Sequence, residues 1–164
     1  MSTAVTFYDV VLFLHITAII VGFGPTYAYG VFLATAQRTD PRALPTVARG
    51  ILAWDRIAQV ALLVILVAGV YLVSDRAAWE FSDFYIAWGF VAVIVAGGLA
   101  GGYFTPKTRS LIELAERDIS AAGTGEVKLS DEFEALSRQL AIVGTAFGVF
   151  LILTVYVMTA KPFL

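Results

Sequence analysis

The chain predicts an all-α integral membrane protein, a four-helix bundle with both termini on the outer side, on three observations. Hydrophobic residues make up 59% of the 164 positions and charged residues only 15%, with the charges gathered between apolar runs. Whole runs of about 18 or more residues carry no charge, the length needed to cross bilayer hydrocarbon. A soluble domain of this size would show amphipathic stripes instead. Turn and cap signals fall between the runs, which divides a single transmembrane domain, 1–164, into spans at about 10–37, 57–74, 84–104 and 140–160, with helical extensions and a linker at 105–139.

Span one, Val10 to Gln37, carries the single histidine of the chain, His15, and a proline deep in an apolar run, Pro25. Its 28 residues would extend about 42 Å against roughly 30 Å of hydrocarbon, so it must tilt, bend or protrude. Pro25 is the expected bend: it removes a backbone donor and crowds the carbonyl of Val21, while Gly22 and Gly24 leave the backbone open to a neighbour. The first nine residues hold no Lys or Arg, so the run reads as a retained span and not as a signal peptide.

Arg38 to Arg42 is a charged turn, and Pro45 suits the first turn of the next helix. Leu44 to Arg56 reads as the interfacial start of span two, with Arg49, Asp55 and Arg56 as a boundary charge cluster and Trp54 as a belt aromatic. Asp75 to Asp83 is a polar loop with Trp79 and Phe81 as anchors. After span three the helix can continue, with Arg109, Glu113 and Arg117 spaced to pair along one face. Ser120 to Leu129, with Gly123 and Gly125, reads as a flexible linker. Ser130 followed by Asp131 and Glu132 is a helix start, and Phe133, Leu136 and Leu140 form one apolar side before span four. Lys161-Pro162 ends it.

Arg38, Arg42, Arg49, Lys107, Arg109, Arg117, Lys128 and Arg138 fall on one side of such a bundle, against Arg76 and Lys161 on the other. Loops rich in Lys and Arg stay cytoplasmic, so both termini face outward across a cell membrane. The bilayer is the expected partner, with a homodimer or another membrane protein as further partners. The net charge of -2 argues against nucleic acid. The absence of cysteine excludes disulfides, thiolate metal sites and cysteine nucleophiles. No hydrolytic triad or phosphate-binding loop is present, and no catalytic residue is assigned.

His15 lies roughly 9 Å of helix rise inside the outer boundary at Asp9, a costly place for an idle imidazole. At comparable depth the other spans offer Tyr71, Tyr85, Trp88, Tyr156 and Met158, so a pocket is geometrically allowed. In one reading His15 is a neutral polar tie between helices. In another it ligates haem iron, with Met158 or a tyrosine as a possible axial partner and Tyr85, Trp88 and Tyr156 among the cofactor-binding residues. Proton transfer or substrate contact is a third. A zinc or copper site needs three or four good ligands, which one histidine and no cysteine do not supply. Gly97, Gly98, Gly101 and Gly102 in span three, with Gly144 and Gly148 in span four, form small-residue faces for close helix packing, within the bundle or at a homodimer seam. The Gly24-Pro25 break also admits a small transporter, since broken helices can line substrate sites.

Several short motifs carry a resemblance: Leu14-His15 in span one, Asp40-Pro41 before a helix ending near Trp54-Asp55, Gly69-Val70-Tyr71-Leu72, and Trp88 opening span three. Together they resemble the uncharacterised bacterial family called predicted integral membrane proteins, over most of the chain. That family is distantly similar to the copper-resistance protein D group and to the J-type membrane protoporphyrinogen oxidase. The oxidase resemblance implies a haem b held by a first-span histidine, which maps to His15; the lysine that the oxidase carries in a later span has no counterpart near Trp88. An accessory membrane subunit without a cofactor is the alternative.

Overall fold

A computed structural model describes residues 4–75, 81 and 83–161. Arg76, Trp79, Pro162 and Leu164 lie outside them. Among the described residues every regular element is helical, with no strand. Four helical stretches are long and apolar enough to cross a membrane: Phe7–Thr39, Pro41–Ser74, Phe84–Ala122 and Asp131–Ala160. Large apolar side chains such as Ile20, Leu63, Ile94 and Ile142 point outward, an arrangement suited to lipid and costly in water.

Helix α1, Phe7–Phe23, starts earlier than the apolar pattern alone implies. Thr6 and Asp9 close a reciprocal cap: the Asp9 carboxylate accepts from the Thr6 N–H at 2.9 Å, and the Thr6 hydroxyl accepts from the Asp9 N–H at 3.3 Å. The stretch breaks at Gly24-Pro25, and α2 runs from Thr26 to Thr39. Asp40 then caps a short 3-10 turn, Pro41–Ala43, through the Arg42 N–H at 3.1 Å. Helix α3, Leu44–Ser74, is continuous, so its interfacial start and its span form one rod with Pro45 in the first turn.

Helix α4, Phe84–Leu99, passes through a widened π turn, Ala100–Phe104, into α5, Thr105–Ala122. Pro106 accounts for the widening: its ring would press on the carbonyl of Gly102 in a regular helix, and the extra residue per turn makes room. Helix α6, Asp131–Ala160, begins at Ser130, whose hydroxyl accepts from the Phe133 N–H at 3.4 Å. It ends on Lys161, in the left-handed region with φ 44°.

Helix α1 lies along α3, which also contacts α4 and α5; α4 packs on α6, and α2 touches both α3 and α6. The deepest burial lies at one end of the bundle, called here the cap. Leu44 and Leu111 are 2% exposed, and Ala115 and Phe133 are 1% exposed, with Ala36 completing the cluster. Leu136 and Leu140 pack on it, on the side of α6 that the sequence pattern predicts. These residues lie about 40 Å of helix rise from the opposite ends of their rods, roughly 10 Å beyond the hydrocarbon thickness.

Polar contacts close the cap and overturn three expectations. The 120–129 segment is not a free linker: Arg42 Nη2 donates to the carbonyls of Gly123 and Gly125, each at 2.8 Å. At its far end the Asp118 carboxylate accepts from the backbone N–H and hydroxyl of Ser130, both at 2.8 Å. Arg117 pairs with Glu132 at 2.8 Å and Asp118 at 3.3 Å, so it reaches across the linker and does not join a ladder with Glu113. The Asp55-Arg56-Arg49 cluster is not formed either. Arg49 reaches across to Glu116 of α5, and Asp55 turns to Thr105.

Candidate functional site

His15 sits about 12 Å of helix rise into α1 and turns its ring toward α3. Nδ1 is 3.0 Å from the carbonyl oxygen of Ile65, so Nδ1–H donates there and Nε2 keeps its lone pair. Gly69 makes this contact accessible. A helical side chain covers the turn N-terminal to its own Cα, and the residue that would shade the Ile65 carbonyl is the one four places on. A Cβ at Gly69 would lie 3.5 Å from His15 Cε1, so the ring rests on the bare backbone of α3.

Of the other residues expected around His15, Tyr71 shares the α1–α3 seam, packed with Val11, Ala68 and Leu72, and the rest belong to a different seam, between α4 and α6. The Trp88 indole N–H donates to Thr154 Oγ1 at 3.1 Å, and its ring lies 5.7 Å from that of Phe150. Met158 seats its methyl on Gly89, where an added Cβ would come within 2.2 Å of Cε. Tyr85 is buried with Val73, Ile86 and Val157, and Tyr156 is 61% exposed. The histidine, its proton directed to a carbonyl, keeps a ring nitrogen that could ligate a metal such as haem iron. Met158 would not join it, because its thioether end is packed against Gly89 of its own seam.

The helix break is filled from within the protein. Pro25 denies Val21 its usual backbone donor, and the Trp54 indole N–H supplies one at 3.3 Å. The Thr26 hydroxyl donates to the Phe23 carbonyl at 2.6 Å. A Cβ at Gly24 would stand 2.5 Å from the Ile20 carbonyl, which ties that glycine to the bend itself. Tyr27 crosses to α6 and donates to the Gly148 carbonyl at 3.1 Å.

Of the predicted packing glycines, Gly22 meets Ala61, Gly97 meets Leu62, and Gly148 meets the Tyr27 ring. Gly144 lies 4.0 Å, by its added Cβ, from Phe104. Gly98, Gly101 and Gly102 do not meet a neighbouring helix within this chain: a Cβ at any of them has nothing within 4 Å. The π turn accounts for part of this, because its extra residue rotates Gly101 and Gly102 out of the four-residue register that the spacing assumes.

Sequence reasoning missed a third grouping, near the cap-side membrane boundary. Asp55 of α3 places Oδ2 3.4 Å from Thr105 Oγ1, just after the π turn, and the Thr105 hydroxyl donates to the Ala100 carbonyl at 2.9 Å. The Tyr29 hydroxyl of α2 faces this carboxyl and, though buried, has no hydrogen-bond partner among the described residues. The signal that could have found it was an acidic residue about 28 Å along α3 from Ser74, level with Pro106 in the next rod.

Four membrane-length helices with outward apolar faces define an integral membrane protein. The profile of the predicted integral membrane protein family DUF2269 matches residues 9–162, and the chain belongs to that family. No curated protein and no solved structure matches it.

Proposed function

We propose that the chain is a structural or accessory subunit of a bacterial inner membrane, with the cap in the cytoplasm and both termini outside. The observation that carries this reading is the His15 contact with the Ile65 carbonyl, a polar tie between α1 and α3 made possible by Gly69. Trp54 and Trp88 use their N–H groups in the same way, so the polar groups inside the spans serve helix-to-helix contacts. The basic residues gathered at the cap support the orientation.

One observation favours a second reading, a haem b held by His15: the tautomer leaves Nε2 free to ligate iron, as the oxidase resemblance implies. The absorption spectrum of protein purified from haem-replete cells separates the two. Under the accessory reading the protein is colourless, stays so when haem is added, and loses only about 0.6–2 kcal/mol of stability on His15→Ala. A Soret band that His15→Ala abolishes, in protein that still inserts, overturns it in favour of haem.

A further inference from the structure

We propose that Asp55 is a proton-binding site, a carboxyl held as the neutral acid by its surroundings and able to exchange its proton with water at the cap-side membrane boundary. Thr105 Oγ1 is 3.4 Å from Asp55 Oδ2, but the hydroxyl has one hydrogen, and the Ala100 carbonyl takes it at 2.9 Å. What Thr105 then offers Asp55 is a lone pair, which suits a carboxylic acid that donates and not a carboxylate that must accept. The Ala100 carbonyl stands there because of the π turn, where it also receives the Thr105 N–H.

No positive charge balances the group. Among the described residues no lysine or arginine makes an ion pair with Asp55. From α2 the titratable group facing it is Tyr29, neutral at ordinary pH; from α5 it is met by the Thr105 hydroxyl. On its own helix Arg49 is turned to Glu116, and the neighbouring Arg56 is exposed and makes no ion pair with it. A half-buried carboxylate with only hydroxyls around it pays desolvation without a counter-charge, and protonation removes that cost. The proton adds to one carboxylate oxygen from water and leaves the same way, with no other bond changed.

Infrared difference spectra of the full chain in lipid nanodiscs, titrated downward from about pH 9, test the proposal. The expected result is a carboxylic-acid C=O band that appears at least about 1.5 units above the roughly 3.9 of an exposed aspartate, and that is missing in Asp55→Asn. Thr105→Val should lower the midpoint, because the acid loses the lone pair that accepts its hydrogen. If Asp55→Asn does not fold, Asp55→Glu keeps the acid and should shift the band without deleting it. An Asp55 midpoint less than about 1.5 units above 3.9, or one that Thr105→Val leaves unchanged or raises, overturns the proposal.

Discussion

The indole N–H of Trp54 donates to the carbonyl of Val21 at 3.3 Å, and that carbonyl is the one Pro25 leaves without its backbone donor. A defect in one helix is thus repaired by a side chain of another. Trp54→Phe keeps the ring and removes the donor, and should cost about 0.5–1.5 kcal/mol in detergent unfolding. In a Pro25→Ala background, where a backbone N–H is restored, the same change should cost less. Additive losses in the four proteins of this cycle would show that the two residues are not coupled.

Gly22 and Gly98 should separate on substitution by alanine. At Gly22 the new Cβ would stand 2.9 Å from the Ala61 Cβ, an atom fixed to the backbone, so the helices must part. The expected loss is about 1–3 kcal/mol. At Gly98 the Cβ enters open space, and alanine gains up to about 1 kcal/mol of helix propensity. Equal damage at both sites, or conversion of a dimer to a folded monomer by Gly98→Ala, would place the open glycines in a seam between copies.

The cap should loosen in acid through Asp118. Burial pushes this carboxyl up, but the N–H and hydroxyl of Ser130 and the Arg117 guanidinium outweigh burial and hold it below the usual carboxylate range. A depressed folded-state pKa means the contribution is complete above the unfolded value and is lost as pH falls through the folded one. Acid proteolysis of the 120–129 segment should therefore rise below about pH 4 in the wild type. In Asp118→Asn it should be raised already at neutral pH and change less with acid. A wild-type profile flat through that window would remove Asp118 from the closure of the cap.

The chain has no cysteine, so single cysteines report topology without a background. Residue 4 and residue 123 lie at opposite ends of the bundle. In intact cells a membrane-impermeant maleimide should label a cysteine at Ala4 and miss one at Gly123 until the cells are opened. Labelling of both from outside would contradict the proposed orientation.

The spans were legible because lipid selects on composition alone: no charge over about 18 residues is a signal that no packing detail can obscure. Caps and turns were legible where a side chain acts on its own backbone, as at Ser130 and Pro45. Partners distant in sequence were not. Arg117 could pair with Glu113 by helical spacing, but the choice of Glu132 and Asp118 depends on where the linker returns α6. Gly98 and Gly101 had the spacing of a contact face, while the π turn that displaces Gly101 follows from Pro106. The His15 neighbourhood was legible in depth and not in azimuth: Trp88 and Met158 lie at the right level on another seam.

Phe133 and Leu63 belong to two different thermodynamic worlds within one chain. Phe133 is sealed in a core about 10 Å beyond the hydrocarbon, where water is the alternative, so its burial carries the heat-capacity signature of apolar hydration. Leu63, 63% exposed toward lipid, exchanges one oily neighbour for another, and the packing of its helix carries little of that signature. The cap should therefore weaken on cooling and yield to urea, while the spans respond to neither until the surrounding detergent or lipid is changed.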